Sequence, residues 1–239
     1  LKDLESTQWL NESQLAELRT RRLSELLCHA QTHVPYFAAL FHTLGLSPKE
    51  SDPWATLRSL PLLTKDLIRK NFAGLRADNA GKTKVFSTTG SSGDPLRFEL
   101  SNRRVSRDIA AKWRATRWWD VDIGDKEIVA WSSPIELNKQ DRVKAIRDAL
   151  LRTKLLSAIA LEPERLDDFI TEIQSFRPAM LFGYPSSLTL VAQRLIDRGI
   201  NLSHQGVKVV FVTAERLYPH QRDALEQAFG AKVANGYGG

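Results

Sequence analysis

Residues 85–95 have the composition of a phosphate-binding turn. A short β-branched and aromatic run leads into five hydroxyl side chains and two glycines, in the order Ser87, Thr88, Thr89, Gly90, Ser91, Ser92 and Gly93. Glycine lets the backbone approach a ligand closely, so successive N–H groups can converge on an anion, and Ser and Thr add donors without bulk. A flexible Ser/Gly linker has a similar composition. Because the entry is strand-like and residues 96–100 alternate between apolar and polar, we favour a strand, a phosphate loop and a second strand.

The loop carries neither the Gly-Lys-Ser/Thr end of the Walker A motif nor the dinucleotide fingerprint. It resembles instead the phosphate-binding signature of the acyl-adenylate-forming superfamily, in the branch that holds phenylacetate–CoA ligase and the CapK-type proteins of capsule biosynthesis. Many members have Pro-Lys at the end of this loop, whereas this chain has Pro95-Leu96. Further segments resemble landmarks of that branch in the same order along nearly the whole chain: residues 33–37, 60–67, 183–186, 213–215 and 235–238.

The resemblance implies a ligand for several of these segments. It places the phosphates of ATP on the hydroxyl-rich loop, the adenine beside one turn and one aromatic-glycine motif, and the acyl group beside a strand-to-helix segment. The residues concerned are Thr213, Ala214, Glu215, Tyr237 and Gly238 for the adenine, and Tyr184 and Pro185 for the acyl pocket.

Three of these residues have other interpretations. Glu215 suits a buried acid, a magnesium ligand, or a carboxylate at the start of the next helix, where the helix dipole favours negative charge. Tyr237 is also compatible with a core aromatic in a final strand. Pro185 suits the first position of a helix, which does not exclude a place in the pocket wall.

The reaction implied by the resemblance is the ATP-dependent activation of a carboxylate. The acid would form acyl-AMP with Mg²⁺ present, and the thiol of coenzyme A would then take the acyl group. The acidic metal ligand and the catalytic lysine of the family are expected beyond Gly239, so we expect the N-terminal part of a longer enzyme, inactive alone. Three alternatives stay open: transfer to a non-CoA acceptor in polysaccharide biosynthesis, a non-catalytic binding module of the same fold, and a basic nucleic-acid-binding protein.

The elements around these motifs predict an α/β fold with two regions, a helical leader at 1–75 and a nucleotide-binding region at 76–239. The leader has helix signals, including a capping box at Asn11 and Gln14 and a cap at Thr64. Short apolar strands then alternate with helix-length segments, which indicates a largely parallel sheet with helices on both faces and ligands at the carboxyl ends of its strands. The predicted strands are 128–131, 155–160, 179–182 and 207–212, and the predicted helices are 104–119, 140–151, 163–176, 186–198 and 219–229.

The composition of the 239 residues limits the remaining classes. Hydrophobic content of 42% and charged content of 26% are ordinary for a globular protein. The single cysteine excludes an internal disulfide and a thiolate zinc cluster, and the five histidines have no metal-ligand spacing, so we predict no metal site within the chain. No apolar run approaches the roughly 20 residues that span a bilayer, and we predict a cytoplasmic protein. Its small carboxylate substrate is what the resemblance implies. The net charge of +6 suits a polyanionic nucleotide as well as nucleic acid.

Overall fold

The computed structural model describes residues 1–49, 51–88, 95–131, 142–158 and 162–237. The chain forms two compact units, Leu1–Lys112 and Trp113–Gly239. Its secondary structure changes from helices to strands between Lys70 and Thr83, close to the point where we expected the helical leader to end. The division of the chain into domains at residue 75 stays a prediction.

Helices form the first part of the first unit. They are α1 (Lys2–Thr7), α2 (Glu12–His33), α3 (Pro35–Thr43), α4 (Pro53–Ser59) and α5 (Lys65–Lys70). Two of their starts have the side-chain caps that the sequence predicts. Asn11 and Gln14 form a capping box at α2, in which the Asn11 side chain accepts from the Gln14 N–H over 2.9 Å. The Thr64 hydroxyl accepts from the Leu67 N–H over 3.3 Å at α5.

A β-hairpin follows these helices and flanks the predicted phosphate loop. Its strands, β1 (Thr83–Ser87) and β2 (Arg97–Ser101), are antiparallel. Thr83 pairs with Ser101, and Ser87 pairs with Arg97 at the end nearer the loop. Strands therefore lie on both sides of the loop, as the sequence predicts. Helix α6 (Asn102–Arg117) begins directly after β2.

A parallel five-stranded sheet forms the centre of the second unit, with the strand order β4-β3-β5-β6-β7. Its strands are β3 (Glu127–Trp131), β4 (Thr153–Ser157), β5 (Met180–Gly183), β6 (Val209–Thr213) and β7 (Lys232–Gly236). The helices between them are α7 (Arg142–Leu150), α8 (Pro163–Phe176), α9 (Pro185–Asp197) and α10 (Pro219–Phe229), and a 3₁₀ turn lies at Ser203–Gln205. The predicted α/β class, with a largely parallel sheet flanked by helices, is confirmed.

Buried side chains cover both faces of the sheet. Helices α8, α9 and α10 pack on one face, where strand residues such as Ile128 and Val210 are fully buried. On the other face, Val209 packs with Val121 and with Ala115 of α6. Each large aliphatic side chain that is fully buried stabilises the fold by ~1.5–3 kcal/mol relative to an exposed one. Burial on both faces accounts for the nearly continuous apolar runs of the central strands.

Strand β4 starts earlier than the sequence predicts. It covers Thr153–Ser157, whereas the apolar run predicted 155–160, and residues 159–161 lie outside the described ranges. β4 is at the edge of the sheet beside β3, with Thr153 opposite Glu127. The Thr153 hydroxyl donates to the Glu127 carboxylate over 2.8 Å. The pairing with β3 therefore sets the start of this strand, because polar side chains at its first positions find partners there.

The described helices can also be compared with membrane-spanning segments. The longest, α2, has 22 residues and carries charged side chains along its length. Among the described parts of the chain, no helix is both long enough and apolar enough to cross a bilayer.

A cluster of charged side chains joins α8 to α9. Asp167 accepts two hydrogen bonds from Arg194, of 2.9 and 3.0 Å, and one of 2.6 Å from Arg198. The hydrogen bond from the Arg194 guanidinium, reinforced by the positive charges of both arginines, holds the pKa of Asp167 below its ordinary value, although desolvation opposes the shift. The same contact raises the pKa of Arg194.

We expect Asp167→Asn to lower the stability of the protein at neutral pH and to have no effect in strong acid. A carboxylate whose pKa is lowered by folding stabilises the native state above its unfolded pKa of about 4, and this contribution is lost as the pH falls through the folded pKa. Urea unfolding of wild type and variant across this pH range measures the difference. The matched control is Asp168→Asn, which removes the next, exposed carboxylate of α8. A loss of stability that does not change with pH would contradict the assignment.

Candidate functional site

The carboxyl ends of the five parallel strands lie at one edge of the sheet, which we call the carboxyl edge. The strands end at Trp131, Ser157, Gly183, Thr213 and Gly236. Tyr184 and Pro185 follow β5, Ala214 and Glu215 follow β6, and Tyr237 follows β7. Because β5, β6 and β7 are neighbours in the sheet, the structure brings the described residues predicted for the acyl pocket and for the adenine together at this edge.

Glu215 connects the turn after β6 to the start of α9. One carboxylate oxygen accepts a hydrogen bond of 3.2 Å from the backbone N–H of Ser186. Ser186 is in the first turn of α9, whose N-cap residue, Tyr184, supplies no side-chain cap. The negative charge of Glu215 therefore satisfies a free N–H group and lies at the positive end of the helix dipole.

This contact and the exposure of the side chain bear on two of the three interpretations of Glu215. The side chain is exposed, so the prediction of a buried acid is wrong. The prediction of a carboxylate at the start of the next helix is also wrong, because Glu215 bonds to the start of α9, which precedes it in the chain. No group of three or more His, Cys, Asp or Glu residues in the described ranges could hold a metal ion, and the interpretation of Glu215 as a magnesium ligand stays a prediction.

Ala214 makes the turn after β6 sharp. Its φ of 70° lies in the left-handed region, which costs a residue other than glycine roughly 1–2 kcal/mol. Such a conformation persists only where the surrounding structure holds it in place. Here Thr213 on one side ends β6, and Glu215 on the other side is bonded to α9. The sequence predicts a turn at these residues but gives no sign of this backbone conformation, since alanine is not a typical left-handed residue.

Four aromatic rings form a continuous stack at the carboxyl edge. The Tyr184 ring is stacked on Trp131 with centroids 4.4 Å apart, and Trp131 is followed by Phe182 at 6.1 Å. Phe182 is stacked in turn on Phe211 at 5.7 Å. We call these four rings the aromatic stack. Sequence reasoning named Tyr184 and missed the other three, although alternation along β3, β5 and β6 places all three strand aromatics on the same face of the sheet.

Two glycines make room for this arrangement. A Cβ atom at Gly236 would overlap the ring of Phe211, so the last residue of β7 lets that ring lie over the strand. A Cβ atom at Gly183 would be 2.5 Å from the carbonyl oxygen of Ala130 in the neighbouring β3. A side chain at Gly236 would collide with the Phe211 ring, and a side chain at Gly183 would collide with the backbone of β3.

Tyr237 projects entirely into solvent, with a relative exposure of 104%. Tyr237 directly follows β7, and its assignment to the adenine or to a core stays a prediction. Gly238, the other adenine residue predicted from this motif, lies outside the described residues. An exposed ring at the end of a strand has a free face for a planar ligand.

The predicted phosphate loop belongs to the first unit, and the structure describes its first part. Ser87 ends β1, and Thr88 follows it; both are exposed. The Thr88 N–H donates to the carbonyl oxygen of Leu96 over 2.9 Å, and the Leu96 N–H donates to the Thr88 hydroxyl oxygen over 3.0 Å. These bonds close the neck of the loop and leave the hydroxyl proton of Thr88 to be donated. The other predicted phosphate residues, Thr89, Gly90, Ser91, Ser92 and Gly93, lie outside the described ranges.

Comparison with solved structures defines the class of fold. The chain superimposes on 2-hydroxyisobutyryl-CoA ligase in an open conformation, in complex with 2-HIB-AMP and CoA, with a TM-score of 0.70 at 22% identity over 95% of the chain and 54% of the ligase. For the same ligase in the thioesterification state the TM-score is 0.71 at 21% identity, over 95% of the chain and 49% of the ligase. The chain thus shares the fold of the part of this ligase that it covers, as the predicted fold implies.

Comparison with curated proteins gives a particular relative. The chain is 27% identical to Protein CapK of Staphylococcus aureus over 224 residues, which cover 93% of the chain and 49% of that protein. The resemblance to the CapK-type branch of the superfamily is therefore confirmed. No family model matches the chain. The chain spans about half the length of these relatives.

We expect Gly183→Ala to destabilise the second unit, because its methyl group would collide with the backbone of β3. Overpacking of this kind costs about 1–3 kcal/mol. Urea unfolding followed by circular dichroism measures the change. The matched control is Gly74→Ala, because a Cβ atom there meets nothing closer than 3.6 Å. Equal stability of wild type and Gly183→Ala would show that the two strands do not approach as closely as described.

Proposed function

We propose that this chain is part of an ATP-dependent enzyme that activates a carboxylate as its acyl-AMP and then transfers the acyl group to the thiol of coenzyme A. The observation that carries the proposal is the carboxyl edge, where segments predicted for the acyl group and for the adenine follow neighbouring strands. Ligands of open α/β sheets bind at this edge. The solved ligase that shares the fold contains an acyl-AMP molecule and CoA.

In the first step a carboxylate oxygen of the substrate attacks the α-phosphorus of ATP. The bond from that phosphorus to the bridging oxygen breaks, and pyrophosphate leaves with the electron pair. Negative charge builds up on the leaving group, so the protein has to supply fixed hydrogen-bond donors and the correct orientation more than a nucleophile.

The hydroxyl-rich loop supplies donors for the phosphates in this proposal. The described part supports it through Thr88, whose oxygen is held by the Leu96 N–H while its proton remains available for a phosphate oxygen. An oxygen fixed in this way needs little reorganisation when the ligand binds. Ser87, Thr89, Ser91 and Ser92, with the amides of Gly90 and Gly93, complete the proposed set of donors.

The carboxyl edge supplies the contacts to the adenine and the acyl group. We place the adenine beside Thr213, Ala214 and Glu215, with Tyr237 and Gly238 as the stacking motif. We place the acyl group beside Tyr184 and Pro185. Trp131, stacked directly on Tyr184, fixes the orientation of that ring and so the shape of the pocket wall.

Magnesium and coenzyme A enter the proposal in different ways. The resemblance implies Mg²⁺ as a cofactor, and we propose that it binds with the phosphates of ATP, since Mg²⁺ is usually held by one or two carboxylates together with substrate phosphates. Coenzyme A is proposed as the acceptor, and the CoA present in the ligase of the same fold supports it. An enzyme that consumes ATP and coenzyme A fits the cytoplasmic location that the sequence predicts.

The proposal predicts ATP–pyrophosphate exchange by the full-length protein with at least one acid of a carboxylate panel. We expect Thr88→Val to lower this exchange by about tenfold or more, since a hydrogen bond to a charged group contributes ~1.5–3 kcal/mol. Thr88→Ser, which keeps the hydroxyl, is the matched control and should retain most of the activity. If the protein bound ATP but showed no exchange with any acid, this result would contradict the proposed enzyme activity and favour a binding module. If Thr88→Val and Thr88→Ser gave equal exchange, Thr88 would not contact the phosphates.

Tyr237→Ala should weaken ATP binding by roughly five- to a hundredfold, because stacking of a base on an aromatic ring contributes ~1–3 kcal/mol. The ring is fully exposed, so the melting temperature should not change. Tyr237→Phe keeps the ring face and should bind ATP nearly as well as wild type. Titration calorimetry with ATP measures the three affinities, and an unchanged affinity of the alanine variant would place the adenine elsewhere.

A further inference from the structure

The first unit contains a cavity of about 740 Å³ beside strand β2. Its walls come from His29 of α2, from the segment 72–80 and from β2 with the first residues of α6. A volume of this size lies within the ~300–1,000 Å³ that is usual for small-molecule sites. Neither Ser87 nor Thr88 lines it. We propose that this cavity, which we call the arginine cavity, binds a phosphate monoester with an apolar or aromatic organic group.

The charge of the lining indicates an anionic ligand. Four arginines line the cavity, Arg76, Arg97, Arg103 and Arg104, against one described carboxylate, that of Glu99. Glu99 is paired with Arg76 over 3.5 Å, and Arg104 is paired with Asp108 outside the lining. The four arginines carry a charge of +4 and the carboxylates of Glu99 and Asp108 carry −2, so the net charge of these groups is +2. This net charge matches the charge of about −1.5 to −2 on a phosphate monoester at neutral pH.

Arg97 has an aromatic neighbour in the lining of the cavity. Its guanidinium lies over the ring of Phe72, 5.5 Å from the centroid. A cation–π contact of this kind does not use the N–H donors of the guanidinium, which can form paired hydrogen bonds with an oxyanion. Arg103 is exposed at the start of α6 and lines the same cavity. These two arginines are therefore the proposed phosphate ligands.

The rest of the lining is suited to a carbon skeleton. Phe72 and Leu75, from the segment before β1, contribute apolar surface to the cavity. Inorganic phosphate alone would leave this surface in contact with water, whereas an organic group bound against it would gain ~25 cal/mol per Å² of apolar area removed from water. A second, smaller cavity shares Arg76 and Thr83 with the arginine cavity and is also lined by Lys82 and Lys84. These lysines add further positive charge beside the arginine cavity.

Phenyl phosphate is the probe that tests this proposal, because it carries a monoester and a ring but neither adenine nor a polyphosphate. Calorimetry in a phosphate-free buffer should show binding to the wild-type chain. Arg97→Ala and Arg103→Ala should each weaken binding by about ten- to a hundredfold. Glu99→Gln should tighten it, since it removes the negative charge from the lining and keeps an acceptor for the Thr83 hydroxyl, to which Glu99 is bonded. A gain of affinity cannot come from misfolding.

Arg21→Ala is the matched control, because it removes an exposed arginine of α2 that does not line the cavity. Its affinity for phenyl phosphate should equal that of wild type. The Thr88→Val variant should also bind phenyl phosphate normally, so failure of the ATP site and failure of the arginine cavity are distinguishable. Absence of binding, equal affinities in all variants, or inorganic phosphate binding as tightly as phenyl phosphate would each overturn the proposal.

Discussion

Parallel pairing of the strands is the constraint on which the candidate site depends. In a parallel sheet every strand ends at the same edge, so segments that are far apart in the chain must leave the sheet side by side. Here the register pairs Gly183 with Val212 and Thr213 with Gly236, so the ends of β5, β6 and β7 are level. The last residue of β6 and the turns after these three strands supply all the described residues that we assign to the adenine and to the acyl group.

The helices packed against the sheet keep its strands in register. Helices α8, α9 and α10 bury one face, and a slip of one residue in any central strand would move its apolar side chains to the opposite face. The other face carries the aromatic stack, in which Gly236 leaves space for Phe211. Alternate residues of the same short strands therefore face the core and the aromatic stack, so that a change of strand register would disturb both. The phosphate loop has a different support, the hairpin of the first unit, whose neck is closed by the bonds between Thr88 and Leu96.

Local signals in the sequence predicted much of the fold. The capping residues Asn11 and Thr64 mark helix starts because their side chains bond to N–H groups within the next turn, and the periodicity of α8 and α10 gave the observed bounds of both helices. Strand β4 was misplaced because its first residues are polar and depend on pairing with β3. For the site, the sequence predicted which segments meet at the carboxyl edge. It did not predict the bond between Glu215 and Ser186, 29 residues apart, or the aromatic stack, since both arise from tertiary neighbours.

The bond from Glu215 to the first turn of α9 has a mechanical consequence. While this bond is intact, the segment after β6 and the amino end of α9 cannot shift independently. The left-handed backbone at Ala214 further restricts the conformations of the segment. If a purine displaced the turn, the displacement would reach Tyr184 and Pro185 through a single carboxylate. Under the proposed function, a correctly bound base would then help to position the residues that contact the acid.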